Sequence, residues 1–196
     1  MDIVFFDASV LFKSAVMRFL LGAAQAGDYR AAWSQAVVDE ARRSLIKKDR
    51  RRALVAFEQN LNLVRDPLVQ PASVELEATL TRTHTNDRHV LAAASGATIL
   101  VTDNPKDFDV DEARRLGITV ITSDEFATSI ALRNPHALIR AVQRAPTDRF
   151  ERYVHILSDE LPEAMRIIAP MLHNMIATVN PIFVPTLSIN RPANIK

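Results

Sequence analysis

The sequence predicts an α/β fold, a small parallel sheet flanked by helices and followed by a C-terminal helical extension. Three observations carry that prediction. Ile3 to Phe6 is a short, unbroken apolar run ending at Asp7, the pattern of a strand covered on both faces. Residues 98–121 read as a strand, a helix and a strand in succession, for which parallel pairing through a right-handed crossover is the default. After Ser123 only helical patterns follow, up to a proline-bearing tail.

Taken in order, the first strand is followed by a helix over Val10 to Ala26, where Leu11, Ala15, Phe19 and Ala23 recur at helical spacing and Gly27 is the stop. Trp33, Val37, Ala41 and Leu45, four apart, predict a second helix over Trp33 to Leu45, and Leu54 to Leu63 is helix-compatible. Pro67 and Pro71 make a loop, and Val74 to Thr81 is a weaker helix. Asn86 to Ser95 is the next helix, capped by Asn86 and stopped by Gly96. The β-branched run Thr98 to Thr102 predicts a strand. Helix Asp111 to Leu116, Gly117 and strand Ile118 to Ile121 complete the unit. Helices are expected over 124–133, 135–144, 147–157 and 162–177, with Pro135 and Pro162 suited to a first helical turn. The division is thus a first domain over 1–124, a helical extension over 125–178 and an irregular tail over 179–196.

Composition narrows the function. In 196 residues, 24 basic against 23 acidic side chains leave a formal charge of +1, so bulk charge does not attract a polyanion and any such contact needs a local cluster. The absence of cysteine removes disulfides, thiolate zinc sites, iron–sulfur clusters and cysteine nucleophiles, and fits a reducing cytosol. The N-terminus has an acid at position 2 and no basic n-region, so it does not read as a secretory signal. Arg18 interrupts one long apolar stretch, and Pro170, His173 and Asn174 another, so no membrane span is expected.

In an open parallel sheet, ligands bind beyond the carboxyl ends of the strands, near the switch in strand order. Two predicted strand ends carry acids or amides: Asp7, and Asp103, Asn104 and Asp107. Glu40 lies within a helix, and Asp87 opens another, where an acid also simply complements the helix dipole. Close carboxylates repel one another by about 4 kcal/mol per pair at an effective dielectric near 20, so a converging set needs a cation. Oxygen ligands without cysteine or paired histidines favour Mg²⁺ or Mn²⁺ over zinc.

Four strings, FFDASVLF, RAAWSQAVVDEARRSL, NDRHVLAAA and ILVTDNPKDF, resemble the PIN-domain ribonucleases in wording and order, over roughly residues 1 to 125. The chain is especially similar to the VapC-like toxins of bacterial type II toxin–antitoxin pairs, whose members can carry an added C-terminal helical region. The resemblance implies a cytoplasmic endoribonuclease dependent on Mg²⁺ or Mn²⁺, with Asp7, Glu40 and Asp87 as catalytic metal-ligating acids. The family pattern Thr-x-Asn followed by Asp-Phe matches Thr102, Asn104, Asp107 and Phe108, favouring Asp107 as the fourth acid with Thr102 and Asn104 as polar support. Asp103 occupies a slot that is often apolar in relatives, and is the alternative supplier of that charge. Asn86 stands where an acid is frequent. The partners implied are RNA and a cognate antitoxin protein, and dimerisation is common among such proteins.

The segment Arg42 to Arg52, RRSLIKKDRRR, sets seven cationic side chains against Asp49. It reads either as a solvated helix face or as an edge that tracks phosphates beside an acidic pocket. The candidate RNA contacts are Arg42, Arg43, Lys47, Lys48 and Arg88, the last also suited to neutralising nearby acids. Trp33 reads as a core residue ahead of a base-stacking one. His84, His136, His155 and His173 share no ligand spacing and look incidental, and His89 is given no role. A dehalogenase-like phosphatase needs a second acid two residues after the first, where Ser9 stands, and a P-loop or dinucleotide fold needs a glycine-rich loop that four glycines do not supply. The alternative of another class is a noncatalytic RNA-binding or protein-interaction module of the same fold with an impaired metal site.

Overall fold

The computed structural model describes residues 1–64, 67–143 and 150–179. It is an α/β structure whose five strands are all parallel: β1 (Ile3–Phe6), β2 (Arg30–Trp33), β3 (Leu68–Val69), β4 (Ile99–Val101) and β5 (Thr119–Ile121), in the order β3-β2-β1-β4-β5. The chain builds outward from β1 through β2 to β3, then returns to the other side of β1 for β4 and β5. The order therefore reverses between β1 and β4, and in open parallel sheets ligands bind beyond the carboxyl ends of the strands at such a reversal. In register, Phe5 stands beside Ala32 on one side and Leu100 on the other.

Two of the strands were not legible as strands. Trp33 closes β2 and does not open a helix; the helix that follows is α3 (Gln35–Lys47), begun by Ser34, whose side chain accepts from the Val37 amide at 3.2 Å. Trp33 is nonetheless buried, as expected of a core residue. The four-residue spacing that links Trp33 to Val37 runs through the strand end by coincidence, and the two alanines of β2 mute its strand character. β3 is two residues long at the sheet edge, next to Pro67 and near Pro71, a place where proline costs no ladder bond.

The first predicted helix is two, α1 (Ala8–Leu11) and α2 (Ser14–Gln25), broken at Lys13. Gly27, at φ +90°, turns the chain after α2 into β2. Next come α4 (Arg51–Leu61), α5 (Val74–Thr79) and α6 (Arg88–Ala93). Asn86 does not cap α6: it is exposed in a 3₁₀ turn, Thr85–Asp87, and the helix begins at Arg88. Gly96 ends a further 3₁₀ turn, not α6 itself. Helix α7 (Val110–Arg115) is capped by Asp109, and α8 (Ser123–Arg133) by a reciprocal pair in which Thr122 and Glu125 each satisfy the other's backbone amide. The extension continues as α9 (Pro135–Gln143), α10 (Phe150–Glu160) and α11 (Pro162–Val179). The predicted tail, from residue 180, lies outside the described residues.

The extension shares the core of the sheet. Phe126 of α8 packs edge-on against Tyr29, ring centres 5.0 Å apart, and against Phe6 of β1 at 6.2 Å. Helices α9 and α10 cover α2, and α11 covers α8. Buried residues from Val4 through Leu172 form one continuous apolar cluster. Among the described residues no helix is long and apolar enough to cross a membrane.

Candidate functional site

Asp7 follows β1 where the strand order reverses, and is the floor of the candidate site. Strand pairing carries through it, its amide donating to the Val101 carbonyl at 3.0 Å, and its extended backbone makes it the cap of α1. The carboxylate, 4% exposed, accepts from the Ala8 amide (2.7 Å), the Ser9 amide (3.4 Å), the Ser9 hydroxyl (2.6 Å) and the Thr102 hydroxyl (2.8 Å). Each hydroxyl has one proton, and both protons go to Asp7, so the 3.2 Å approach of the two hydroxyl oxygens is proximity and not a bond. Thr102, at the end of β4, also accepts from the Asn104 amide at 3.1 Å. Asn104 joins through its backbone, and the residue is exposed.

Three further acids come from three separate elements. Glu40 projects from α3, Asp87 stands where the 3₁₀ turn passes into α6, and Asp107 closes the turn Pro105–Asp107. Partial burial holds the Glu40 carboxyl above the usual carboxylate range, and the charge of Asp7, with that of Asp87, raises it further against the pull of His89 and Arg43. Burial likewise raises Asp87; its hydrogen bond with His84 opposes the rise, and Asp7 and Asp107 add to it. Asp7, Glu40, Asp87 and Asp107 thus form one electrostatic neighbourhood. They are not drawn together: among the described residues no three acid or histidine side chains stand in a metal-ligating group.

Asp103 points elsewhere. Lys13, in the break between α1 and α2, meets its Oδ2 at 3.0 Å, while its Oδ1 accepts from the Ser123 amide at 3.1 Å and the Ser123 hydroxyl at 2.7 Å. Its charge is spent on joining β4 to α8, and of the two candidates for fourth acid it is Asp107 that adjoins Asp87.

The turn that carries Asp87 is locked from both sides. Glu112 of α7, 1% exposed, accepts from the amides of Arg82 (2.9 Å) and Thr83 (2.8 Å), and Arg88 donates to the carbonyls of Thr83 and Thr81, each at 3.1 Å. Burial alone would raise the Glu112 carboxyl, but these donors outweigh it and hold it below the usual range. The guanidinium of Arg88 is therefore engaged by backbone carbonyls and not by the site acids. Neither Glu112 nor this use of Arg88 was anticipated; both bind backbone atoms, which no residue pattern names.

The basic segment divides. Arg42 is held by Asp39 at 2.6 Å and Glu58 at 2.8 Å, tying α3 to α4, and Lys48 lies over the Phe12 ring at 5.2 Å. Arg43 and Lys47 are exposed, three and seven residues after Glu40 on the same helix, and so continue its face away from the acids. His89 stands 3.9 Å from Glu40. His84 is no bystander: its Nδ1 lies 3.1 Å from Asp87 Oδ2.

The donor set offered to a cation is carboxylate and hydroxyl oxygen, which suits Mg²⁺ or Mn²⁺. Comparison with family models, curated proteins and solved structures returns no match.

Proposed function

We propose that the chain is a metal-dependent endoribonuclease of the PIN-domain type, acting in the cytoplasm as the toxin of a type II toxin–antitoxin pair. The observation that carries this reading is the placement of Asp7 at the end of β1, where the strand order reverses, fixed by Ser9 and by Thr102 at the end of β4, with the charge of Asp7 reaching both Glu40 of α3 and Asp87. Asp7, Asp87, Asp107 and Glu40 would hold Mg²⁺ or Mn²⁺. Bound there, such an ion supplies a more acidic water and neutralises charge on a scissile phosphate.

The chain's own residues divide the remaining work. Asp7, fixed by four donors, is the immobile reference point of the site. Glu40, on the helix that also carries Arg43 and Lys47, would orient the attacking water in line with the leaving oxygen and take its proton. Arg43 and Lys47 offer the RNA backbone positive charge on the same helix face, without which an acidic cleft repels its substrate. RNA and a small antitoxin protein that covers the cleft are the partners this reading requires, with a homodimer as the form familiar among such toxins.

The test is cleavage of a mixed RNA pool by the purified chain with Mg²⁺, with Mn²⁺ or with chelator. Cleavage that needs the metal and falls roughly 10²-fold or more in a folded Asp87→Asn variant is expected, because amide for carboxylate preserves shape at this partly exposed position and removes a ligand charge. Folded, antitoxin-free protein that neither cleaves RNA nor binds Mn²⁺ would place the chain instead among noncatalytic RNA-binding or protein-interaction modules.

A further inference from the structure

We propose that His84 is a positioning residue for the acidic site, its Nδ1–H aiming the Asp87 carboxylate by holding Oδ2 so that Oδ1 is presented to a divalent cation; this rests on the reading of the site just given. An ionised carboxylate only accepts hydrogen bonds, so the 3.1 Å contact requires the proton on Nδ1. The backbone of the same residue does a second job. Its amide donates to the Asp107 carbonyl at 2.8 Å, and its carbonyl accepts from the Asp87 amide at 2.8 Å. One residue thereby ties the turn bearing the third acid to the turn bearing the fourth, by bonds from both its backbone and its ring.

A histidine on a free loop would have little authority over its neighbour, but this one is not on a free loop. The three residues before it are clamped: Glu112 takes the amides of Arg82 and Thr83, and Arg88 takes the carbonyls of Thr81 and Thr83. Thr83 is buried and its hydroxyl accepts from the Asp109 amide at 3.1 Å. The imidazole is thus an exposed ring on a fixed base, with 58% of its side chain open to solvent against 24% for Asp87. Groups that orient a ligating carboxylate commonly change metal affinity by 10–100-fold, and an exposed one belongs at the lower end.

The experiment is calorimetric titration of Mn²⁺ into the full chain, comparing the original sequence with His84→Ala and His84→Asn, together with the thermal midpoint of each. Asparagine places an amide N–H close to where Nδ1 stands, so it restores the bond without the ring. The expected result is about tenfold weaker Mn²⁺ binding in His84→Ala, recovered for the most part in His84→Asn, with thermal midpoints unchanged. Equal affinity in all three, or a loss that asparagine does not recover, overturns the inference while leaving the site reading intact. Absence of Mn²⁺ binding in the original chain overturns the site reading and the inference with it. A readout independent of metal separates them further: nitrogen NMR of the metal-free chain at neutral pH is expected to show His84 with its proton on Nδ1, and a proton on Nε2 alone overturns the inference by itself.

Discussion

Asp87 and Glu40 are carboxylates held where their charge is unwelcome. Burial is the leading cause for both, and neighbouring acids add to it, so the folded chain binds their protons more tightly than the unfolded chain does. Their contribution to stability is therefore greatest in acid and declines as pH rises from about 4, the ordinary carboxylate value, through the raised ones. Removing the charge removes the decline. Asp87→Asn in metal-free protein is expected to raise the thermal midpoint at neutral pH by roughly 1–3 °C and to give no gain in acid below about pH 4. Glu40→Gln follows the same course with a smaller gain, since water screens its half-exposed carboxyl. A drop in midpoint for both at neutral pH would contradict the raised values. Other site residues are the legible kind: Asp7 follows an apolar run, and Thr102 and Asp107 follow another, so strand ends announce them, whereas Glu40 and Asp87 lie in a helix and a turn that mark neither as a site acid. His84, Glu112 and Arg88 act through bonds to a carboxylate or to backbone atoms, and their residue types in sequence signal neither partner nor direction.

At the scale of elements, the turn over residues 81–84 depends on a carboxylate from a distant helix. Glu112→Gln leaves one acceptor where two amides donate and turns an N–H toward the other, a mismatch that costs about 1–3 kcal/mol in a buried place. Faster amide exchange at Arg82 and Thr83 is the local signature, and exchange unchanged from the original chain would deny the clamp. Because Glu112 is held below the usual range, the stability it adds is fully present at neutral pH. It is lost as pH falls below the ordinary carboxylate value through the lowered one, so the gap between the original chain and the variant should narrow in acid. Helix α3 supports a separate expectation. Arg43→Ala and Lys47→Ala should each weaken RNA binding across sequences and reduce its salt dependence by about one unit of slope, whereas Arg42→Ala should mainly loosen α3 from α4. Equal salt slopes for all three would return the segment to the status of a solvated face. The boundaries of α3 also show where sequence patterning misled: Ser34 marks the true start as a cap, but the apolar spacing running back to Trp33 is the louder signal. β3, two residues long, has too few positions to display any period.

At the scale of the whole molecule, what the helical extension does for the site follows from where its first helix packs. Phe126 belongs to the first helix of the extension, yet its ring packs against Phe6 and Tyr29, and Phe6 is the residue before Asp7. The end of the same helix adds polar ties to the strand end opposite the site, Asn134 donating to Asp28 at 2.7 Å and Arg133 reaching Asp2 at 3.6 Å. Sequence patterning distinguishes an α/β half from an all-helical half, because periods change there, but it carries no sign that the two share one apolar cluster. A shared core unfolds as a unit. Phe126→Ala should accordingly cost about 3–5 kcal/mol, as truncation of a fully buried aromatic does, and lower the thermal midpoint by roughly 10 °C. The decisive feature is the shape of the transition. A single step, followed equally by the fluorescence of Trp33 in β2 and by helical circular dichroism, is the expected outcome. Loss of helical signal ahead of any change at Trp33 would mean that the extension melts alone and that Asp7 does not depend on it.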